Sequence, residues 1–359
     1  MSDACYHRRM IRAIIQIASL SLVFLALAEG SSAQSWKILT SGTDTNLRGL
    51  SAARMPSTGH FAVWASGSHG VALRSIDDGR TWSRLTVPGS DDLDFRGVVA
   101  FNDKIAYLMA SGEGEKSRLY KTVDGGANWE LQFKGANAAF FLDSIACLSE
   151  TKCFALGDPI DGKFVILKTT NGRHWSQIPS ANLPAALAKE GAFAASNSNL
   201  LVVSEDEFYF VTGGFAARVL HTADAGKSWS AASAPIAGDN ASSGIFAMQR
   251  ASDGRLLVVG GDYASPATAF RIAASSSDGG KTWQPAAHQP AGYRSGVAAL
   301  DADEILATGT NGSDRSVDAG VHWKSVSTLP LNAIFALDSH HVWAAGPNGT
   351  VARFVAAPD

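Results

Sequence analysis

Three sets of residues have types and spacings that could do chemistry. The first is Gly280-Lys281-Thr282, which matches the tail of a phosphate-cradling loop of the form GxxxxGK[ST]. That loop needs a glycine five residues before Gly280, where the chain has Ser275; the similar Gly226-Lys227-Ser228 has His221 in that place. Neither stretch is a nucleotide site. The second set is arginine. Arg48 and Arg96 stand at the same place in Leu-Arg-Gly-Leu and Phe-Arg-Gly-Val, and Arg294 lies one residue off in Tyr-Arg-Ser-Gly-Val. Asp143, Glu190 and Asn332 fall at or near that place in segments of similar pattern. Arginines gathered on one rim would grip carboxylates or a small anion, because a planar guanidinium matches them in a fixed fork. The third set pairs Tyr293 with Glu190, a hydroxyl nucleophile and a carboxylate to activate it.

What must position these groups is a repeat. Both Gly-Lys stretches run into a tryptophan, and the pattern Ser/Thr-x-Asp-x-Gly-x-Thr/Ser-Trp recurs along the chain. It is complete at Asp77 to Trp82, Asp224 to Trp229 and Asp278 to Trp283. It recurs at Asp124 to Trp129 with Asn128 in the hydroxyl slot, and at Asp318 to Trp323 with His322 there. A sixth copy keeps Gly172 and Trp175 but places Thr170 in the aspartate slot. The tryptophans are 47, 46, 54, 54 and 40 residues apart. Short strands repeating at about 40–50 residues are the signature of propeller blades. Each copy is predicted to be a tight turn. The carboxylate accepts backbone N–H groups, the glycine tolerates positive φ, and the tryptophan is buried between blades. These are structural roles, and a carboxylate pinned by donors is poorly suited to proton transfer near neutral pH.

Ahead of each turn lies a small-residue, apolar stretch suited to an inner strand facing a central channel. Seven are found, at 47–53, 95–101, 142–148, 191–196, 243–249, 293–300 and 331–337. Seven inner strands against six tryptophan turns leave one outer strand missing. Ser35 to Leu39 supplies it, because Trp36 precedes Trp82 by 46 residues, one repeat length. The expected fold is all-β: a seven-bladed propeller of four-stranded antiparallel blades, closed by the N-terminal strand in the last blade. Closure removes open edges, so a monomer is expected.

An apolar strand with Gly-x-x-Gly, followed by Ser-x-Asp-Gly-Gly-x-Thr-Trp, resembles the BNR or Asp-box repeat. More narrowly, the chain resembles the photosystem II stability and assembly factor-like proteins, which are exported seven-bladed propellers. The resemblance covers residues 34–359. It implies a non-enzymatic scaffold that docks on membrane-protein complexes, in part through an arginine patch, here Arg48, Arg96 and Arg294. Sialidases and some glucanases also carry the repeat, so a glycoside hydrolase acting on a glycan is the alternative. Phe270-Arg271-Ile272 is similar to the sialidase Phe-Arg-Ile-Pro signature, although Ala273 replaces the proline and the stretch precedes a late turn. Under that alternative Tyr293, Glu190 and Arg271 would be catalytic.

Residues 1–33 have the form of a secretory signal. Arg8, Arg9 and Arg12 precede an apolar run of 16 residues, Ala13 to Ala28, and Ser31-Ser32-Ala33 fits a cleavage site. The run is short of the about 20 residues that span a bilayer, and an uncleaved anchor is the alternative. A periplasmic or extracellular location is therefore expected. Residues 1–33 hold three of the 30 basic and two of the 33 acidic residues, which leaves the remainder about four charges negative. That argues against a nucleic-acid partner. Cys147 and Cys153, one on each arm of a predicted hairpin, are expected to form a disulfide in an exported protein. Exported members of the resembled group carry the same hairpin. No cofactor motif or metal-ligand spacing is present.

Overall fold

The structure, a computed structural model, describes residues 35–355; the expected leader at 1–33 lies outside the described residues. The repeated turn sets the local geometry. In the first copy the Gly79 N–H donates to the Ser75 hydroxyl at 2.8 Å, and the N–H and hydroxyl of Thr81 donate to Asp77 at 2.8 and 2.6 Å. The Trp82 indole N–H closes the turn on the Gly79 carbonyl at 2.9 Å. Gly79 needs its freedom here, with φ at +88°. The same bond to the aspartate recurs at Asp124, Asp224, Asp278 and Asp318. The Ser228 hydroxyl and N–H hold the Asp224 carboxyl down at about 2, so it remains an acceptor. In the remaining copy the aspartate's place is taken by Asn171, not Thr170. The Arg173 and His174 N–H groups donate to Asn171 Oδ1 at 3.0 Å. This turn is one residue shorter, and Trp175 donates to Gln132 instead of to its own glycine.

Seven antiparallel blades form. Their inner strands are Leu47–Arg54, Asp94–Ala100, Leu142–Ser149, Leu200–Val202, Ser243–Arg250, Gly296–Ala299 and Ala333–Asp338. Blade seven takes its outer strand from the other end of the chain. Ser35–Thr40 pairs with Thr350–Val355 in unbroken register, Ser35 opposite Val355 and Thr40 opposite Thr350. Cys147 and Cys153 face each other across the first hairpin of blade three and are disulfide-bonded.

The core lies between blades. Trp82 packs against a cluster that joins Val63 and Leu73 of its own blade to Trp343 and Val351 of blade seven. Polar joints accompany this packing. One position of the second strand carries Trp64, Tyr107 and Trp343 in blades one, two and seven. Each donates to a carbonyl of the following blade, at Asn102, Glu150 and Asp78, over 3.1, 2.8 and 3.0 Å. Arg74 and Lys121 add charge-assisted bonds across the same joints, to the carbonyls of Gly125 and Glu150 at 2.7 Å each.

Blade four departs from the expectation. Its inner strand is Leu200–Val202, not 191–196. Glu190–Gly191 instead pairs with Gly213–Gly214, which joins the sheet of blade five, and residues 192–199 form no strand. The polar Ser196-Asn197-Ser198-Asn199 run breaks the pattern, and Asn197 adopts φ +62°, a conformation asparagine tolerates better than most residues.

Closure by the N-terminal strand predicts one outcome. Trp36 is buried, meets Phe354 edge-on at 5.1 Å and donates to Ser313 of blade six at 3.0 Å. Trp36→Ala is expected to cost about 3–5 kcal/mol, the usual range for a buried tryptophan. Chemical denaturation measures it, and an unmoved midpoint would show that the ring holds without this strand.

Candidate functional site

The channel mouth is shaped by a repeated irregularity. In the first half of the inner strand, pairing between first and second strands skips one residue in four blades: Arg48 between Leu47 and Gly49, Arg96 between Phe95 and Gly97, Asp143 between Leu142 and Ser144, and Phe246 between Ile245 and Ala247. A bulge bends the strand and re-aims the extra side chain. In these four blades the inner strand thus turns one residue toward the mouth.

The segment 192–199 crosses the channel beneath them. Its Ala192 N–H donates to Asp158 of blade three at 2.8 Å, and its Ala194 carbonyl accepts Arg96 Nη1 of blade two at 3.1 Å. Asn197 pairs its side chain with both backbone groups of Ile145, at 2.8 and 3.0 Å. Ser196 donates to the Ser295 carbonyl of blade six at 2.5 Å, and Phe193 stacks on Phe246 of blade five. The crossing divides the channel. Ser196, Asn197 and Ser198 face an inner chamber of about 320 Å³, lined by inner strands. Phe193, Ala194 and Ala195 form the floor of a mouth pocket of about 330 Å³.

The mouth pocket holds Arg48, Arg96, Tyr263, Tyr293 and Asn332. Arg96 is held by Asp94 at 2.7 Å as well as by the Ala194 carbonyl. Arg48 is different. Its Nε is buried without a hydrogen-bond partner, and among the described residues no carboxylate lies within ion-pair distance of it. Burial, and then the like charge of Arg96, push its pKa below the usual guanidinium value. A half-buried guanidinium with an unpartnered Nε gains from an anion that joins it. Burial raises the Tyr293 hydroxyl well above the ordinary tyrosine range, although the charge of Arg48 opposes this. Asn332 donates to Asn46 and to the Leu47 carbonyl at 2.7 and 2.8 Å, which fixes the blade seven to blade one joint beside Arg48.

Three expected members of the site lie elsewhere. Arg294 does not join the rim. It is fully buried, donates through Nε to Asp314 at 2.6 Å and through Nη1 to Asn311 at 2.5 Å, and is a structural ion pair. Its one-residue offset from Arg48 and Arg96 in sequence was the available signal. Glu190 accepts from Thr212, Arg218 and the Leu187 N–H at 2.6, 2.8 and 2.7 Å. Its carboxylate is fully engaged and does not line the pocket that holds Tyr293. Arg271 also lies outside the pocket lining, donating to the Ile236 carbonyl at 2.8 Å and lying over Phe270. The Tyr293, Glu190 and Arg271 trio is therefore not assembled. Asp143 is brought toward the mouth but is fully buried, with neither oxygen hydrogen-bonded. Burial and then Asp158 raise its pKa well above the ordinary value, against the charge of Arg96. Phe193, Phe246 and Tyr263 were missed by sequence reasoning, because aromatic residues in or beside strands look like ordinary core.

No family model matches the chain, and no curated protein matches it. Solved structures do. A YCF48 protein determined bound to D1 peptide superposes with a TM-score of 0.64 at 17% identity, covering 89% of this chain and 96% of the other. YCF48 from Cyanidioschyzon merolae gives 0.60 at 16% identity, over 89% and 98%. A GH74 xyloglucanase from Xanthomonas campestris gives 0.61 at 18% identity, over 89% of this chain but 53% of the enzyme. At these identities the likeness is one of fold: a seven-bladed propeller.

Two outcomes follow from the charges. Arg294→Ala strands Asp314 in the interior and is expected to cost about 3–5 kcal/mol, whereas Arg48→Ala breaks no ion pair and leaves the thermal midpoint nearly unmoved. Equal losses in a thermal melt would overturn that contrast. Asp143 titrates higher folded than unfolded, so its contribution opposes folding as pH rises above the unfolded value of about 4. Asp143→Asn is expected to stabilise the protein by about 1–3 kcal/mol at pH 7, the range for one mismatched buried polar group, with the gain fading toward pH 4. Urea unfolding at both pH values checks this, and a loss of stability at pH 7 would mean a charged, paired Asp143.

Proposed function

We propose that this chain is an exported, non-enzymatic binding propeller that docks on a protein or membrane-protein partner by gripping an acidic group in the mouth pocket. The observation that carries this is Arg48: a half-buried guanidinium whose Nε has no partner and which forms no ion pair among the described residues, in a pocket closed below by the chain itself. An acidic group of a partner supplies the missing charge, and Arg96 adds a second donor with fork geometry. The surrounding face suits a macromolecule. Leu187, Phe215 and Phe270, on loops at the mouth end of blades four and five, are 52%, 42% and 64% exposed. Large apolar side chains left in water are what protein interfaces cover. The similarity to a propeller that binds D1 peptide supports a polypeptide ligand. The leader-like residues 1–33 support export.

The test is a crosslinking capture from the host's solubilised membranes and periplasm. The purified protein serves as bait and an Arg48→Ala/Arg96→Ala variant as control. One specific complex is expected, with capture reduced at least about tenfold in the variant and weakened by salt. Capture that is identical for both proteins would remove the pocket from the docking surface.

A further inference from the structure

The pocket that presents Arg48 also presents an aromatic wall. Phe246 occupies the bulge position that holds Arg48, Arg96 and Asp143 in blades one to three. Phe193, from the channel-crossing segment, lies flat against it, with ring centroids 4.2 Å apart and planes 1° from parallel. Tyr293 meets Phe246 edge-on at 4.8 Å, and Tyr263 meets both stacked rings edge-on at 6.1 Å while 51% exposed. The backbone is cut to fit this stack. A Cβ at Gly213 would lie 2.0 Å from the Phe193 ring, and one at Gly244 would lie 3.0 Å from it. Packing accounts for the stacked pair and for the buried Tyr293. It does not account for Tyr263, which rests half in water beside an unpaired cation.

We propose that the pocket recognises an aryl carboxylate: a carboxylate on Arg48 and Arg96, with an aromatic ring attached a few bonds away and packed against Tyr263 and the Phe193–Phe246 stack. This rests on the anion-gripping function proposed above and narrows its ligand. The volume agrees. An apolar cavity of about 150 Å³ takes benzene, and the pocket's about 330 Å³ leaves room for a linker and a carboxylate. Ring-on-ring contact adds to the charge contact and does not compete with it, because Arg48 and Tyr263 belong to different blades. The same chemistry could arrive as a free aromatic acid or as an aromatic residue beside an acidic group in a partner.

Calorimetric titration of the purified protein with three probes tests this: 3-phenylpropanoate, propanoate and 3-phenylpropanamide. The first is expected to bind at least about tenfold tighter than either of the others, the ratio that about 1.4 kcal/mol of ring contact supplies. Arg48→Ala should reduce 3-phenylpropanoate to the level of the amide. Tyr263→Ala, at an exposed position that leaves the fold intact, should reduce it to the level of propanoate without changing propanoate itself. Equal binding of 3-phenylpropanoate and propanoate, or an unchanged preference in Tyr263→Ala, overturns the proposal. Excess 3-phenylpropanoate added to the crosslinking capture separates the sources. Loss of capture assigns the aryl carboxylate to the partner, and undisturbed capture assigns it to a free acid. A partner lost in the arginine variant with no aryl preference sinks this inference and leaves docking standing. An aryl preference with no partner captured does the reverse.

Discussion

A blade of four strands has two apolar faces, and only its neighbours cover them. Every blade here depends on that constraint, because among the described residues no α-helix or second layer packs on the sheets. Leaving the ring open would expose two faces at once, along with two strand edges. The pairing of Ser35–Thr40 with Thr350–Val355 therefore completes blade seven and also secures both interfaces that flank it. The joints are polar as well as apolar. Trp64, Tyr107 and Trp343 each bury an aromatic face while their donors bond carbonyls of the next blade.

The ring was legible because its turns are chemically demanding. A serine or threonine, an aspartate, a glycine at positive φ and a tryptophan must each stand at a fixed offset to close the bonds seen at Asp77. Such a pattern survives reading without structure. Where the offsets slip it misleads, as with Thr170 and Asn171, because a turn shortened by one residue moves the acceptor and spares the tryptophan. Blade four was misread for a related reason. Gly191 to Ser196 has the small apolar character of an inner strand, yet that composition suits any buried extended chain. The 54-residue gap from Trp175 to Trp229, some seven longer than the first two, makes room for the extra crossing.

The site was legible in part. Repetition of Arg48 and Arg96 before a glycine located the mouth, but not the bulges that aim them, since a skipped residue leaves no mark on strand composition. Arg294 misled because its neutralising partner, Asp314, lies on the third strand of the same blade, 20 residues away. Charge in sequence carries no sign of which partner will be near. The aromatic wall stayed hidden for the same reason: Phe193, Phe246, Tyr263 and Tyr293 come together only because residues 192–199 leave the sheet.

That departure has a mechanical consequence. A ring of wedges joined only at its sides can ovalise, with each wedge rocking slightly on the next. Residues 192–199 act as a spoke, pinned to blade two at Arg96, blade three at Asp158 and Ile145, blade five at Phe246 and blade six at Ser295. Distances across the hub are then fixed by one short tie instead of summed over seven flexible seams. The hub cannot widen without tearing bonds on several blades at once. Whatever occupies the mouth meets a seat of set width, and the two ends of the bore are separate rooms.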